Sequence, residues 1–204
     1  MHDVDSLIAE LRRYVADDRV LEAVAAVPRE RFVPWPMRER AYENRALSIG
    51  CGQTISQPLV VARMTELLTP RPEDRVLDVG TGSGYHAAVL ARLCAHVWSI
   101  ERHQRLSERA ARNLEAADVH NVTLIVGDGT RGLPEHAPFD AINVAAAGNA
   151  DALAELEAQL APGGRLVAPV TDPLQRLAVT RRTPQGLERT LYEEVRFVPL
   201  VRDG

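Results

Sequence analysis

Lysine is absent. All 24 basic residues are arginine, which removes a Schiff-base lysine, a catalytic lysine and the phosphate-gripping lysine of a P-loop. Cysteine is scarce: Cys51 and Cys94 are the only thiols, too few for a disulfide framework and in keeping with a reduced, cytosolic setting. No apolar run approaches the roughly 20 residues that span a bilayer, so no membrane association is expected. The acidic start (Asp3, Asp5, Glu10) lacks the basic-then-apolar layout of a secretory signal. The six histidines (His2, His86, His96, His103, His120 and His136) pair with neither cysteine nor carboxylate at metal-ligand spacing, so no metal site is expected. Internal repeats and low-complexity stretches are also missing. A net charge of −4 disfavours a global nucleic-acid footprint. What is present is an ordinary folded composition, 46% hydrophobic and 25% charged over 204 residues, which suits one domain.

The first 45 residues read as helical. Leu7, Ile8, Leu11 and Val15 fall at helical spacing after a cap expected at Asp5, and a second short helix runs from about Arg19 to Val27. Pro34, Trp35 and Pro36 mark an irregular connection. From Arg75 onward, short apolar runs alternate with helical stretches. Strands are expected at 75–79, 96–100, 123–126, 139–144 and 165–170, with helices at 85–93, 104–117 and 152–160. That alternation predicts a doubly wound parallel α/β sheet, and near-continuous apolar strands agree with burial on both faces. The segments 177–181 and 190–197, joined by a turn at Thr183–Gly186, predict an antiparallel hairpin at the sheet edge.

The run Asp78-Val79-Gly80-Thr81-Gly82-Ser83-Gly84 follows the first of these strands and opens a helix. Glycines there allow a tight turn and a close approach of ligand to backbone, and the helix start offers free N–H groups. The spacing is Gly-x-Gly-x-Gly, not the Gly-x-Gly-x-x-Gly of dinucleotide folds. Asp78 would repel a pyrophosphate and suits the cationic amino group of a methionine moiety, directly or through water. Glu101, ending the next strand, can accept from both ribose hydroxyls. After the third strand, Asp128 can accept from an exocyclic adenine amine and the Gly129 N–H can donate to a ring nitrogen. All three features sit at carboxyl ends of strands, where α/β sheets bind ligands. The pattern resembles the nucleotide loop of S-adenosylmethionine methyltransferases.

Ahead of the sheet lies Gly50-Cys51-Gly52-Gln53-Thr54-Ile55-Ser56-Gln57-Pro58. Ser56 is a natural cap for a helix beginning near Pro58, which leaves the Gly-Cys-Gly-Gln-Thr run unexplained. This block, with Val27–Val33, Val61–Met64, Gly80–Tyr85, Gly127–Gly129, Phe139–Ile142, Pro162–Gly164 and Arg196–Val201, resembles the protein-L-isoaspartate (D-aspartate) O-methyltransferase family, in order over essentially the whole chain. The Thr-Ile-Ser block and the Phe-Val-Pro-Leu tail are the most specific pieces.

The resemblance implies a Rossmann-like methyltransferase fold in a single domain. Residues 1–58 would form an N-terminal helical, substrate-side segment, and residues 59–204 the cofactor core and hairpin. It implies S-adenosyl-L-methionine as cofactor, with Asp78, Gly80, Thr81, Gly82, Ser83, Gly84, Glu101, Asp128 and Gly129 around it. It places the active-site serine on Ser56 with Thr54 beside it. Gln53 and the backbone of Val198 and Leu200 join them against a protein or peptide substrate. The expected reaction is methylation of the free α-carboxylate of an L-isoaspartyl residue, followed by cyclisation to a succinimide and repair. One departure stands out: the loop Ala145–Asn149 lacks the family's prolines, and extra flexibility at Gly148-Asn149 would point to a dedicated peptide substrate in a biosynthetic pathway. A non-enzymatic binding module fits poorly with intact Thr54 and Ser56. An RNA methyltransferase fits poorly with the acidic balance. Among the remaining residues, Arg29, Arg31, Arg38 and Arg40 read as a solvated basic face. His86 and His103 flank the expected pocket. Cys51 and Cys94 read as buried small hydrophobes, and Trp35 and Trp98 as core or interface anchors.

Overall fold

Asp3, rather than Asp5, starts the first helix of the computed structural model, which describes residues 3–202; His2 lies outside them. The Asp3 carboxylate accepts from the Ser6 N–H at 2.9 Å and caps α1 (Val4–Leu11). Asp5 sits inside the first turn, where its charge suits the helix dipole. Asp17 caps α2 (Asp18–Ala26) in the same way. Two 3₁₀ turns, Arg29–Arg31 and Trp35–Arg40, carry the chain to a small antiparallel hairpin of β1 (Leu47–Gly50) and β2 (Gln53–Ile55). Helix α3 (Pro58–Leu68) then leads to the main sheet. Trp35 is 77% exposed and anchors no core.

The main sheet holds β3 (Arg75–Val79), β4 (His96–Glu101), β5 (Val122–Val126), β6 (Phe139–Val144), β7 (Leu160–Thr171), β8 (Gln175–Thr183) and β9 (Gly186–Glu194), in spatial order β5-β4-β3-β6-β7-β8-β9. The first five are parallel, and β8 and β9 add an antiparallel edge. Helices α4 (Tyr85–Ala91), α5 (Gln104–Ala116) and α6 (Ala150–Glu157) form three of the crossovers. This is the doubly wound Rossmann-like sheet expected from the alternation of strands and helices.

Several boundaries shift from that pattern: α4 ends at Ala91, β8 is longer at both ends and β9 starts at Gly186, and two further shifts have a visible cause. The α6 helix stops at Glu157, because Leu160 already pairs with Phe139 at the start of β7. The last strand ends at Glu194 rather than Phe197. There the side chain of Gln175 takes over from the ladder, accepting from the Phe197 N–H at 2.6 Å and donating to its carbonyl at 3.3 Å.

Alternate residues of the strands face two cores, as the two-residue period of a strand requires. Val76, Val97, Ala141, Val167, Leu177 and Val179 pack toward α1–α4. Leu77, Val79, Ile142, Val144, Leu166 and Ala168 pack toward α6. Trp98 is half-buried on this second face, edge-on to Phe139 and under the Arg75 guanidinium.

The end of α3 is fastened to the sheet by one side chain. Arg165 on β7, itself buried, donates to the carbonyls of Leu68, Thr69 and Asp140 at 2.6, 2.6 and 2.9 Å and pairs with buried Asp74. Arg165→Met removes the counter-charge of buried Asp74 and leaves it only the Arg71 N–H at 2.7 Å, so urea unfolding should show a loss of about 3–5 kcal/mol. A loss below about 1 kcal/mol, the scale of a surface pair, would mean that the pair does not carry this junction.

Candidate active site

A cleft of about 930 Å³ opens over the carboxyl ends of β3, β4 and β6. Strand order reverses there, with β4 on one side of β3 and β6 on the other, and open α/β sheets form their crevice at that place. Gln53, Thr54, Ser56, Gly80, Thr81, Gly82, Ser83, Glu101, Gly129, Val198 and Leu200 all line it. His86 and His103 line it too. Asp78, Gly84 and Asp128 do not.

Gly84 lies behind the loop, where it ends the turn and starts α4. Its φ is +87°, and an added Cβ would stand 3.2 Å from the Ala110 Cβ. Only glycine combines that backbone with that approach.

Asp78, expected toward the ligand's amino group directly or through water, is fully buried beneath the loop and does not itself line the cleft. Its neighbours in register on the flanking strands are Ser99 and Asn143, and both donate to it at 2.7 Å. Burial pushes this carboxyl up to about 6, against the pull of those two donors. The row continues on both sides. Ser99 spends its hydrogen on Asp78, so Thr81 donates to Ser99 at 2.7 Å. Beyond Asn143, His86 Nδ1 lies 3.2 Å from the amide nitrogen, and His86 Nε2 lies 3.1 Å from the Thr65 hydroxyl. Thr65 gives its hydrogen to the Val61 carbonyl at 2.9 Å. His86 therefore carries its proton on Nε2 and accepts on Nδ1. Burial holds it neutral, lowering it to about 3.

Glu101 faces the cleft while accepting from the Gly82 N–H at 2.8 Å and the His103 N–H at 2.9 Å. A carboxylate has about four acceptor positions, so two are left for a diol. Gly129 has no room for a side chain: a Cβ would meet the Val79 Cγ1 at 2.7 Å. Asp128 turns away and caps the 3₁₀ turn Gly129–Arg131 by accepting from the Thr130 N–H and hydroxyl at 2.9 and 2.7 Å.

On the opposite, N-terminal side, Ser56 is not a helix cap. Gln57 holds the cap position of α3 without a side-chain bond, and the free Leu59 N–H is taken by the Asn44 side chain at 3.1 Å. The Ser56 carbonyl accepts from Arg29 Nη2 at 2.7 Å. Arg29 is thus no part of a solvated face; it is completely buried. Cys51 is exposed, at a φ of +53° in the β1–β2 turn, while Cys94 is buried.

The C-terminal stretch closes the rim. The Val198 carbonyl accepts from the Ala147 N–H at 2.8 Å, and the Leu200 N–H donates to the Ala147 carbonyl at 2.7 Å. Those two backbone groups are committed to the loop, and Val198 and Leu200 line the cleft beside it. The loop itself is pinned rather than loose. Gly148 bonds to Pro169 and Thr171 across β7, and Asn149 caps α6.

The family model for protein-L-isoaspartate(D-aspartate) O-methyltransferase matches residues 2–204. The chain belongs to that family. It is 50% identical to a protein-L-isoaspartate O-methyltransferase of Pectobacterium atrosepticum, over 98% of this chain and 96% of the relative. It is 52% identical to one of Klebsiella pneumoniae over the same shares. A solved protein-L-isoaspartate O-methyltransferase superposes with a TM-score of 0.86 at 30% identity, over 97% of this chain and 65% of that one. A Plasmodium falciparum structure shares the fold at a TM-score of 0.87 and 24% identity, over all of both chains.

The residues present fit the family's cofactor, S-adenosyl-L-methionine. The Asp78 charge has only neutral donors around it, which leaves a negative potential beneath the glycine loop for a cationic ligand. Glu101 keeps acceptor capacity for a ribose, and Gly129 presents bare backbone. Sequence reasoning missed Ser99, Asn143 and Arg29. The first two carry no motif; their signal is a polar residue in an otherwise apolar strand.

His86 makes the row sensitive to acid. Its folded value of about 3 lies below the unfolded 6.5, so the stability it contributes is present above pH 6.5 and is lost as pH falls toward 3. Asp78, raised to about 6, runs the other way: its contribution is present below about 4 and is lost as pH rises through 6. His86→Gln keeps one donor and one acceptor without titrating. Between pH 7 and about 4.5 it should lose about 3 kcal/mol less stability than the parent in denaturant unfolding. Parallel losses would show that His86 is not held neutral.

Proposed function

We propose that Ser56 and Thr54 hold and orient the free α-carboxylate of an L-isoaspartyl residue for methylation. In this reading Gln53 and the free edges of Val198 and Leu200 bind the flanking peptide. Gly80, Thr81, Gly82, Ser83, Glu101 and Gly129 hold S-adenosyl-L-methionine directly, while Asp78, Gly84 and Asp128 shape and charge the floor beneath it. The chain is an S-adenosylmethionine-dependent protein-L-isoaspartate O-methyltransferase, and the resulting ester cyclises to a succinimide whose hydrolysis returns some normal aspartate. The observation that carries the assignment is Ser56. It lines the cleft shared with the glycine loop, and the helix it was free to cap takes its capping bond from Asn44 instead.

When bound, the cofactor supplies a methyl group on a sulfonium. The protein has little acid-base work to do, because a carboxylate is already ionised at neutral pH. Ser56 and Thr54 donate to it and fix its direction, and such positioning supplies up to about 7–11 kcal/mol in ideal cases. The rim formed by Val198 and Leu200 against Ala147 limits water, which favours a step that destroys charge.

In this reading residues 1–58 are the substrate-side segment, and 59–204 carry the cofactor core and the hairpin, whose tail returns to the substrate at Val198 and Leu200. Two unpaired thiols suit the cytoplasm, and among the described residues no helix is long and apolar enough to cross a membrane. The cleft's own carboxylate and the net negative charge disfavour nucleic acid. The dedicated-peptide alternative loses its support, since the Gly148-Asn149 loop is bonded on both sides.

Two matched peptides, one with isoaspartate and one with aspartate, test the reading with labelled S-adenosylmethionine. Base-labile label on the isoaspartyl peptide alone is expected; label on neither, with cofactor binding intact, would overturn the substrate. Ser56→Ala should lower kcat/KM by about 10–100-fold, the worth of a hydrogen bond to a charged group. Its cofactor Kd should stay unchanged by calorimetry. Glu101→Ala should do the reverse, raising cofactor Kd by about tenfold or more. Equal losses of both functions in both variants would sink this division of the site.

A further inference from the structure

Arg29 does not line the cleft, yet it touches two residues that do, Ser56 and Tyr85, and a third behind them, Ala41. Its Nη2 donates to the Ser56 carbonyl at 2.7 Å and its Nε to the Ala41 carbonyl at 2.9 Å. Its guanidinium lies over the Tyr85 ring, 4.7 Å from the centroid, and Tyr85 both opens α4 and lines the cleft. No Asp or Glu among the described residues pairs with it, and its Nη1 has no hydrogen-bond partner.

That is a costly way to fill space. A buried charge without a counter-ion is worse for stability than an apolar side chain of the same volume. Two carbonyls and a ring face attract the cation but leave its unit charge in place. Burial lowers its proton affinity, but a guanidinium stays protonated regardless. The charge is thus tied directly to the residue whose hydroxyl faces an anionic substrate.

We propose that Arg29 is a positioning residue for methyl transfer: it fixes Ser56 through its carbonyl and supplies, from behind the Ser56 loop, the positive potential that an incoming isoaspartyl carboxylate meets. The proposal rests on Ser56 as the substrate-facing hydroxyl, and the two are separable by experiment.

Arg29→Met keeps bulk and removes the charge. It should raise KM for the isoaspartyl peptide by about tenfold or more, the worth of one charge-assisted interaction, while the Kd for S-adenosylhomocysteine stays within about threefold. Combined with Ser56→Ala it should add little to the loss, because both changes break one unit. A merely structural role predicts a lower melting temperature with KM unchanged, and that result overturns the proposal. If the methionine variant does not fold, Arg29→Lys carries the test. Its ammonium keeps the charge but lacks the planar fork that spans two carbonyls, so KM should rise by about threefold, and an unchanged KM overturns the tether to Ser56. Adding methylguanidinium to Arg29→Ala should restore activity where methylurea does not; equal rescue by both would remove the charge from the argument. Full activity in Ser56→Ala defeats the underlying assignment. A damaged Ser56→Ala beside a normal Arg29→Met defeats this one alone.

Discussion

A carboxylate at the centre of the sheet sets the terms for everything around it. Asp78 is out of reach of solvent on the middle strand of the parallel set, and an ionised group there is tolerated only if hydrogen bonds replace its water. Ser99 and Asn143 replace it from the two neighbouring strands, at positions directly in register. A slip of one residue on either side would leave the carboxylate facing an apolar side chain, so the row pins the register of β4, β3 and β6 together. It also fixes the Asn143 amide: turned over, its oxygen would face the carboxylate. The present orientation leaves that oxygen buried without a partner, a smaller cost than the repulsion it avoids.

The N-terminal half of the site shares one apolar core with the sheet, and polar contacts fix loops of both halves to it. Arg29 holds the Ser56 carbonyl, Arg109 on α5 donates to the Ile49 carbonyl at 2.9 Å, and Asn113 donates to the Ser83 carbonyl at 2.9 Å. The first and last of these bonds grip a backbone oxygen of a residue that lines the cleft, and the second grips strand β1 behind it. Side chains that hold backbone leave the facing hydroxyls and N–H groups free for ligands. Glu66 does similar work farther out, accepting from the Ala16 and Asp17 N–H groups and so fastening the start of α2 to α3.

Most of the fold was legible because parallel strands must be apolar on both faces and their crossovers must be helical. The β3 to β6 strands emerged from that rule alone, within a residue or so. The errors have physical reasons. The Asp5 cap failed because aspartates two apart compete, and the earlier one has the extended backbone that a cap needs. Leu160 looked helical because an apolar residue at the end of a helix and one at the start of a strand read alike. Arg29 looked solvated because it shares a stretch with Arg31, Arg38 and Arg40, and a sequence does not say which of four arginines turns inward. Trp35 looked buried from its size; two flanking prolines hold it outside instead. Of the site, the residues that touch the cleft were legible from motif and resemblance. Among the residues behind the cleft, Asp78, Gly84 and Asp128 were legible from the same motifs, whereas Ser99, Asn143 and Arg29 were not, because a lone bond to a buried carboxylate or a backbone carbonyl leaves no pattern in spacing.

Perturbed titratable groups commonly mark catalytic atoms, and in this molecule they mark the scaffold. The two carboxyl and imidazole groups moved furthest by burial, Asp78 and His86, belong to the row under the loop. Ser56 and Thr54, on the substrate side, have no titration near neutral pH to tune. That division follows from the chemistry. Methylating a carboxylate needs no proton removed, so nothing is gained by tuning an acid or base at the reacting atoms. What the step does need is a fixed direction for a nucleophile that is free to rotate, and rigidity is supplied by bonds to backbone. A buried polar row that locks three strands and a buried guanidinium that locks one serine are two answers to the same demand. Their cost in stability falls on the frame, and the Ser56 and Thr54 hydroxyls, proposed to meet the substrate, are left to the cleft.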